Sequence, residues 1–146
     1  MQKQLKLMLL FTVASFILFT GFKRDNLASS PKTKNSKAGP VSITAVFDFS
    51  TFPDVLGTFT TSGALNIRGS AEMIVGFNNN QRRAHCIVIL TASDGSITIH
   101  QECEFSTNPP KGRWQIVSGT GAYANLKGNG SLLMPPDTEA MEGFIY

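Results

Sequence analysis

At 146 residues the chain has the length of one domain. Only six of its 13 lysines and arginines lie from residue 41 onward, against nine of its 10 acids, so the net +3 belongs to the leader and the body is acidic. A nucleic-acid-binding protein carries its basic charge in the folded part, so nucleic acid is excluded as an expected partner.

The chain opens with Lys3 and Lys6 ahead of an uncharged apolar run, Leu7 to Phe22 (LMLLFTVASFILFTGF). As a helix this run reaches about 24 Å at about 1.5 Å per residue, short of the roughly 30 Å hydrocarbon core of a bilayer. A basic start followed by an apolar run of this length is the pattern of a secretory signal peptide. Residues 1–30 are assigned to it, with Ala28-Ser29-Ser30 as a small-x-small cleavage site. An uncleaved anchor is the alternative, favoured by Lys23 and Arg24 directly behind the run. The expected location is extracytoplasmic, periplasmic or secreted, with no membrane association beyond this segment. Residues 31–40 continue a basic stretch of small polar residues and proline without hydrophobic period and read as a disordered linker.

From Val41 to Tyr146 the pattern is period two, punctuated by glycine. The stretch ITAVFDF sets Ile43, Ala45, Phe47 and Phe49 on one side and Thr44, Val46 and Asp48 on the other. Further strands are expected over 56–65, 70–77, 84–92, 96–105, 113–118, 128–134 and 142–146, each bounded by turn residues. No stretch shows apolar residues at helical spacing with caps. The fold class is therefore all-β, a single antiparallel eight-stranded barrel or a sandwich, with minimal helix outside the signal segment. Closure into a barrel removes exposed strand edges.

The segment HCIVILTASDGSITIHQEC carries the clearest hairpin. Asp94-Gly95 is a strong signal for a type I′ turn, whose central residues both need positive φ. A two-residue loop there puts Leu90 opposite Ile99, His85 opposite Glu104, and Cys86 opposite Cys103. Cysteines facing across a non-hydrogen-bonded pair lie near the short end of the range a disulfide accepts. In an exported protein that pair is expected to bond. A metal site is not expected, because two cysteines on an apolar face lack a third ligand in reach.

Near the C-terminus, WQIVSGTGAYANLKGNG contains a formal match to the dinucleotide fingerprint G-x-G-x-x-A. That motif needs a following helix and a second parallel strand. Lys127-Gly128-Asn129-Gly130 ends any helix after little more than one turn, and the acids at the right distance, Glu139 and Glu142, fall in a proline-rich loop and a final strand. Gly119, Gly121 and Gly128 are expected to shape a structural turn, with Tyr123 and Leu126 projecting together to meet Trp114 and close one barrel end. No cofactor is expected.

For acid–base chemistry the candidates are His85, His100, Glu102 and Glu104 on the polar face of the hairpin, a pattern that solvated cross-strand pairs produce equally well. Candidate ligand-lining residues are Phe47, Phe49, Phe59, Leu90, Ile99, Phe105 and Trp114. An eight-stranded barrel is wide enough to fill with side chains or to hold one small ligand.

The segments GTFTTSGAL (57–65), LTASDGSITI (90–99) and GRWQIVSGTGAYANLKGNGSL (112–132) resemble small secreted bacterial proteins of the allene oxide cyclase-like barrel superfamily, related in fold to the plant dirigent proteins. The resemblance spans about 57–146 and is most specific in the last segment. It implies an eight-stranded antiparallel barrel and, from the plant members, homo-oligomers; no catalytic residue carries over. Three functions follow as expectations: non-catalytic binding of a small apolar molecule, a cyclase-like or dirigent-like barrel that steers a reactive substrate, and a filled barrel serving as a structural or interaction module.

Overall fold

The computed structural model describes residues 37–79 and 81–146. The expected signal segment and residues 31–36 of the expected linker lie outside the described residues. Eight strands follow in chain order: β1 (Gly39–Asp48), β2 (Val55–Gly63), β3 (Arg68–Phe77), β4 (Arg83–Ala92), β5 (Gly95–Glu104), β6 (Lys111–Gly119), β7 (Gly128–Leu133) and β8 (Thr138–Ile145). Each pairs antiparallel with the next, and β8 pairs with β1 to close the barrel. The only helical elements among the described residues are two 3-10 turns, Phe49–Thr51 and Gly121–Tyr123.

The alternation read from sequence is the alternation of burial. In β1, Val41, Ile43, Ala45 and Phe47 are buried while Thr44, Val46 and Asp48 face solvent. Phe49 departs from its expected side. The Asp48 carboxylate accepts a hydrogen bond from the Ser50 amide at 2.9 Å, which starts the 3-10 turn. Phe49 therefore leaves the strand and lies half exposed at the barrel rim.

Three further expectations need correction. First, β1 takes in Gly39 and Pro40, which composition assigns to the linker; they pair with Ile145 and Phe144. Proline is admitted at the start of a strand because the ladder there least needs the N–H that it lacks. Second, β8 begins at Thr138 rather than 142, because Pro135-Pro136 occupies only the first part of the connection and Asp137 turns the chain with φ 58°. Third, the β4–β5 register is displaced. Ala92 pairs with Gly95, so the two-residue loop is Ser93-Asp94, and neither takes positive φ. Cys86 consequently faces Gln101, Cys103 faces Ala84, and His85 faces Glu102.

The cause of the displaced register is tertiary. Gly95 (φ 145°) and Gly121 (φ 57°) lie back to back, and a Cβ on either would collide with the other connection's backbone. The Ala122 amide donates to the Asp94 carbonyl at 2.9 Å, and Thr120 binds Ser96 through both backbone and hydroxyl. Gly95 is thus used for close approach to the β6–β7 connection, not for the hairpin's own turn.

Candidate functional site

The barrel's two ends differ. At one end lie the chain's entry at Gly39, the β2–β3 loop, the β4–β5 hairpin tip and the β6–β7 connection. Leu65, Tyr123, Leu126 and Ile145 are buried there. The Tyr123 phenol is pushed up by burial and by the Asp94 carboxylate at the hairpin tip. The stretch GTGAYANLKG is accordingly a 3-10 turn and connection, Gly121 to Tyr123, docked on the neighbouring hairpin.

At the other end the loops after β1, β3, β5 and β7 surround an apolar pocket of about 320 Å³. This is at the small end of the roughly 300–1,000 Å³ usual for small-molecule sites. Phe49, Phe52, Phe77, Phe105, Met134 and the prolines 110 and 135 form its rim; Met73, Val75 and Cys86 form its depth. Phe77 and Phe105 pack at 5.8 Å between ring centroids, yet Phe52 remains 57% and Phe77 51% exposed. Among the described residues, no charged side chain lines the pocket.

Behind the pocket's inner wall runs a string of polar groups inside the barrel. Cys86 Sγ lies 3.9 Å from Cys103 Sγ, and both are free thiols. The Cys103 thiol points at Gln101 Oε1, 4.0 Å away. Gln101 Nε2 donates to Glu139 Oε1 and approaches Met141 Sδ at 3.4 Å. Glu139 Oε2 has no hydrogen-bond partner among the described residues, although the residue is 1% exposed. Burial outweighs the hydrogen bond from Gln101 and raises the Glu139 carboxyl from the ordinary 4.5 to about 7. An ionised carboxylate in such surroundings is costly. The hydrogen bond with Cys86, then burial, then the charges of Cys86 and Glu139 hold the Cys103 thiol up in its protonated form.

Of the candidate ligand-lining residues, Phe49 and Phe105 line this pocket. Phe47, Phe59, Leu90 and Ile99 are core residues. Trp114 is also buried, and its indole extends over β7 to β8, where Nε1 donates to the Glu142 carbonyl at 3.3 Å. A side chain at Gly143 would collide with that ring. His85, His100, Glu102 and Glu104 stand on the outer wall. The two imidazoles stack at 5.6 Å, Glu102 pairs with Arg113 at 3.1 Å, and Glu104 accepts from Ser106. None of the four lines the apolar pocket.

Gln101 and Glu139 escaped the sequence reading for different reasons. Gln101 occupies the inward series Ile97, Ile99, Gln101, Cys103, and its place as the polar member of an apolar series was a usable signal. Glu139 sits behind two prolines in a segment whose two acids fall on opposite faces, and sequence offers no reason to choose which faces inward.

The geometry defines a class: a closed eight-stranded antiparallel β-barrel, sealed at one end and carrying an apolar pocket at the other. No protein-family model matches the chain, and neither does any curated protein.

Proposed function

We propose that this is an exported barrel that binds a small apolar molecule without transforming it, the ligand entering between the loops at the open end. The observation that carries the reading is the phenylalanine- and methionine-lined pocket, about 320 Å³ in volume and without a charged lining residue among the described residues. Export rests on the basic-then-apolar leader. Membership of the allene oxide cyclase-like superfamily rests on the sequence resemblance, and the closed eight-stranded barrel agrees with the fold that the resemblance implies. In an oxidising compartment Cys86 and Cys103 join as a disulfide, their sulfurs closing from 3.9 Å to about 2.05 Å as a thiol–disulfide oxidant of that compartment takes up the two electrons and two protons.

The test is titration of the protein with phenylnaphthylamine, an apolar dye that brightens on leaving water. Saturable one-to-one binding is expected. Val75→Trp, which fills the pocket, abolishes it, while Val117→Ser on the outer wall leaves it intact. Unsaturable binding, or binding indifferent to Val75→Trp, would overturn the reading. A second reading, a cyclase-like or dirigent-like barrel, is favoured by the inward polar pair Gln101 and Glu139. It requires conversion of a substrate, which the first reading does not.

A further inference from the structure

Resting on that reading of the pocket and its disulfide, we infer that the Cys86–Cys103 bond is opened and closed through the apolar mouth, at Cys86. The reagents it admits are uncharged thiols and disulfides with a hydrocarbon body, and a ligand in the pocket shuts the route.

The two sulfurs are not equivalent. Cys86 forms part of the pocket's depth beside Met73 and Val75, whereas Cys103 is absent from the lining. Cys103 borders a polar groove of about 440 Å³ on the outer wall, among Arg83, His85, Lys111 and Arg113. Its sulfur, however, is turned inward to Cys86 and Gln101. The two cysteines are only 0% and 2% exposed, so a reagent must come through a hollow in the barrel. Of these two hollows, only the pocket lies on the side of β4 and β5 that carries both sulfurs.

The lining of the pocket then selects the reagent. A charged group that enters loses its hydration and meets no counter-charge among the described lining residues, which is costly. An uncharged thiol on a benzyl or alkyl body instead buries apolar area there. Opening takes two exchanges. A thiolate attacks Cys86 Sγ, the bond to Cys103 breaks, and its electron pair leaves on Cys103, which takes up the reagent's proton. A second thiol attacks the reagent's sulfur and frees Cys86 with its proton. Two thiols thus become one disulfide, and the barrel gains two electrons and two protons. Closing is the same sequence in reverse.

Leaving-group chemistry by itself would choose the other sulfur. The hydrogen bond between the thiols, the largest influence on each, lowers the Cys86 thiol and raises that of Cys103. The more acidic thiol leaves faster. Attack at Cys86 is therefore the mark of access through the pocket.

The test compares phenylmethanethiol with 2-mercaptoethanesulfonate, whose sulfonate charge is permanent, as reductants of the oxidised full chain. Rates are taken relative to those on the chain unfolded in urea. Alkylation and intact mass follow loss of the bond, and peptide mapping of acid-quenched samples locates the first mixed disulfide. Phenylmethanethiol is expected to react at least on the order of tenfold faster, the effect of one unpaired charge kept out of an apolar site, with its first adduct on Cys86. Saturating phenylnaphthylamine, its fluorescence showing the pocket filled, slows this reaction by a similar factor. So does Val75→Trp, while Val117→Ser does not. If Val75→Trp does not fold, protection of the wild type by the dye decides. Equal or faster reaction with the sulfonate, a first adduct on Cys103, or a rate unmoved by bound dye overturns this inference and leaves the apolar pocket standing. So does a chain in which a thiol–disulfide oxidant forms no bond. If the dye does not bind, the pocket reading falls and this inference with it.

Discussion

The two ends of the barrel are made from the same kinds of residue and behave oppositely. At the sealed end, Tyr123, Leu126 and Leu65 are buried, and the two connections touch backbone to backbone through Gly95 and Gly121. At the open end, Phe49, Phe52 and Phe77 stay largely exposed around a pocket, held apart by loops that carry Pro53, Pro109, Pro110, Pro135 and Pro136. An aromatic side chain therefore does not by its nature plug a barrel. It plugs one where the connections are small enough to approach each other, and it lines a mouth where they are not. Packing at the sealed end supplies stability, and the open end leaves apolar area uncovered, as a binding site must.

The largest effect that would sharpen this contrast is on the packed aromatics. Trp114→Ala and Tyr123→Ala should each cost about 3–5 kcal/mol, as aromatic truncations in packed sites do, read from urea unfolding. Stability untouched by both would mean that these side chains are not packed, and the contrast between the ends would collapse.

The middle effect lies between the ends, at the pocket floor. Oxidising Cys86 and Cys103 to a disulfide should stabilise the barrel by roughly 3 kcal/mol in the chain-entropy model, measured as the difference in unfolding with and without reductant. Peptide mapping of protein recovered from its host's exterior checks the bond directly. Two free thiols there would remove the disulfide from the account.

The smallest effect belongs to the rim. Phe52→Ser should change stability by no more than about 0.5 kcal/mol, the usual range for exposed positions, while weakening dye binding. A loss as large as that of Trp114→Ala would show that the rim is packed after all and that the two ends are equivalent.

The architecture was legible because its cause is local. Inward and outward alternation from Ile43 to Phe47, and from Cys86 to Leu90, follows from the two-residue period of a strand, and turn residues marked nearly every boundary. The reading of GTGAYA as a connection also needed only local facts, since the glycines after it leave no room for the helix of a nucleotide site. The partner of each strand residue was another matter. Turn chemistry placed the hairpin loop at Asp94-Gly95, yet the β6–β7 connection presses on Gly95 and moves the loop to Ser93-Asp94. That displacement separates Cys86 from direct opposition to Cys103 and sets His85 beside Glu102.

The site itself was decided almost wholly in three dimensions. Glu139 and Gln101 are 38 residues apart, on strands that are not neighbours, and meet only because closure points both into one interior. Whether Glu139 or Glu142 faces inward is settled by the register of β8 against β1 and β7, a non-local pairing that no pattern within eight residues encodes. The sequence alone determined an all-β chain with a hydrophobic face on every strand. Which end of the resulting barrel closes, and which buried oxygen is left without a partner, depended on contacts between distant segments, because packing answers to the space that other strands leave.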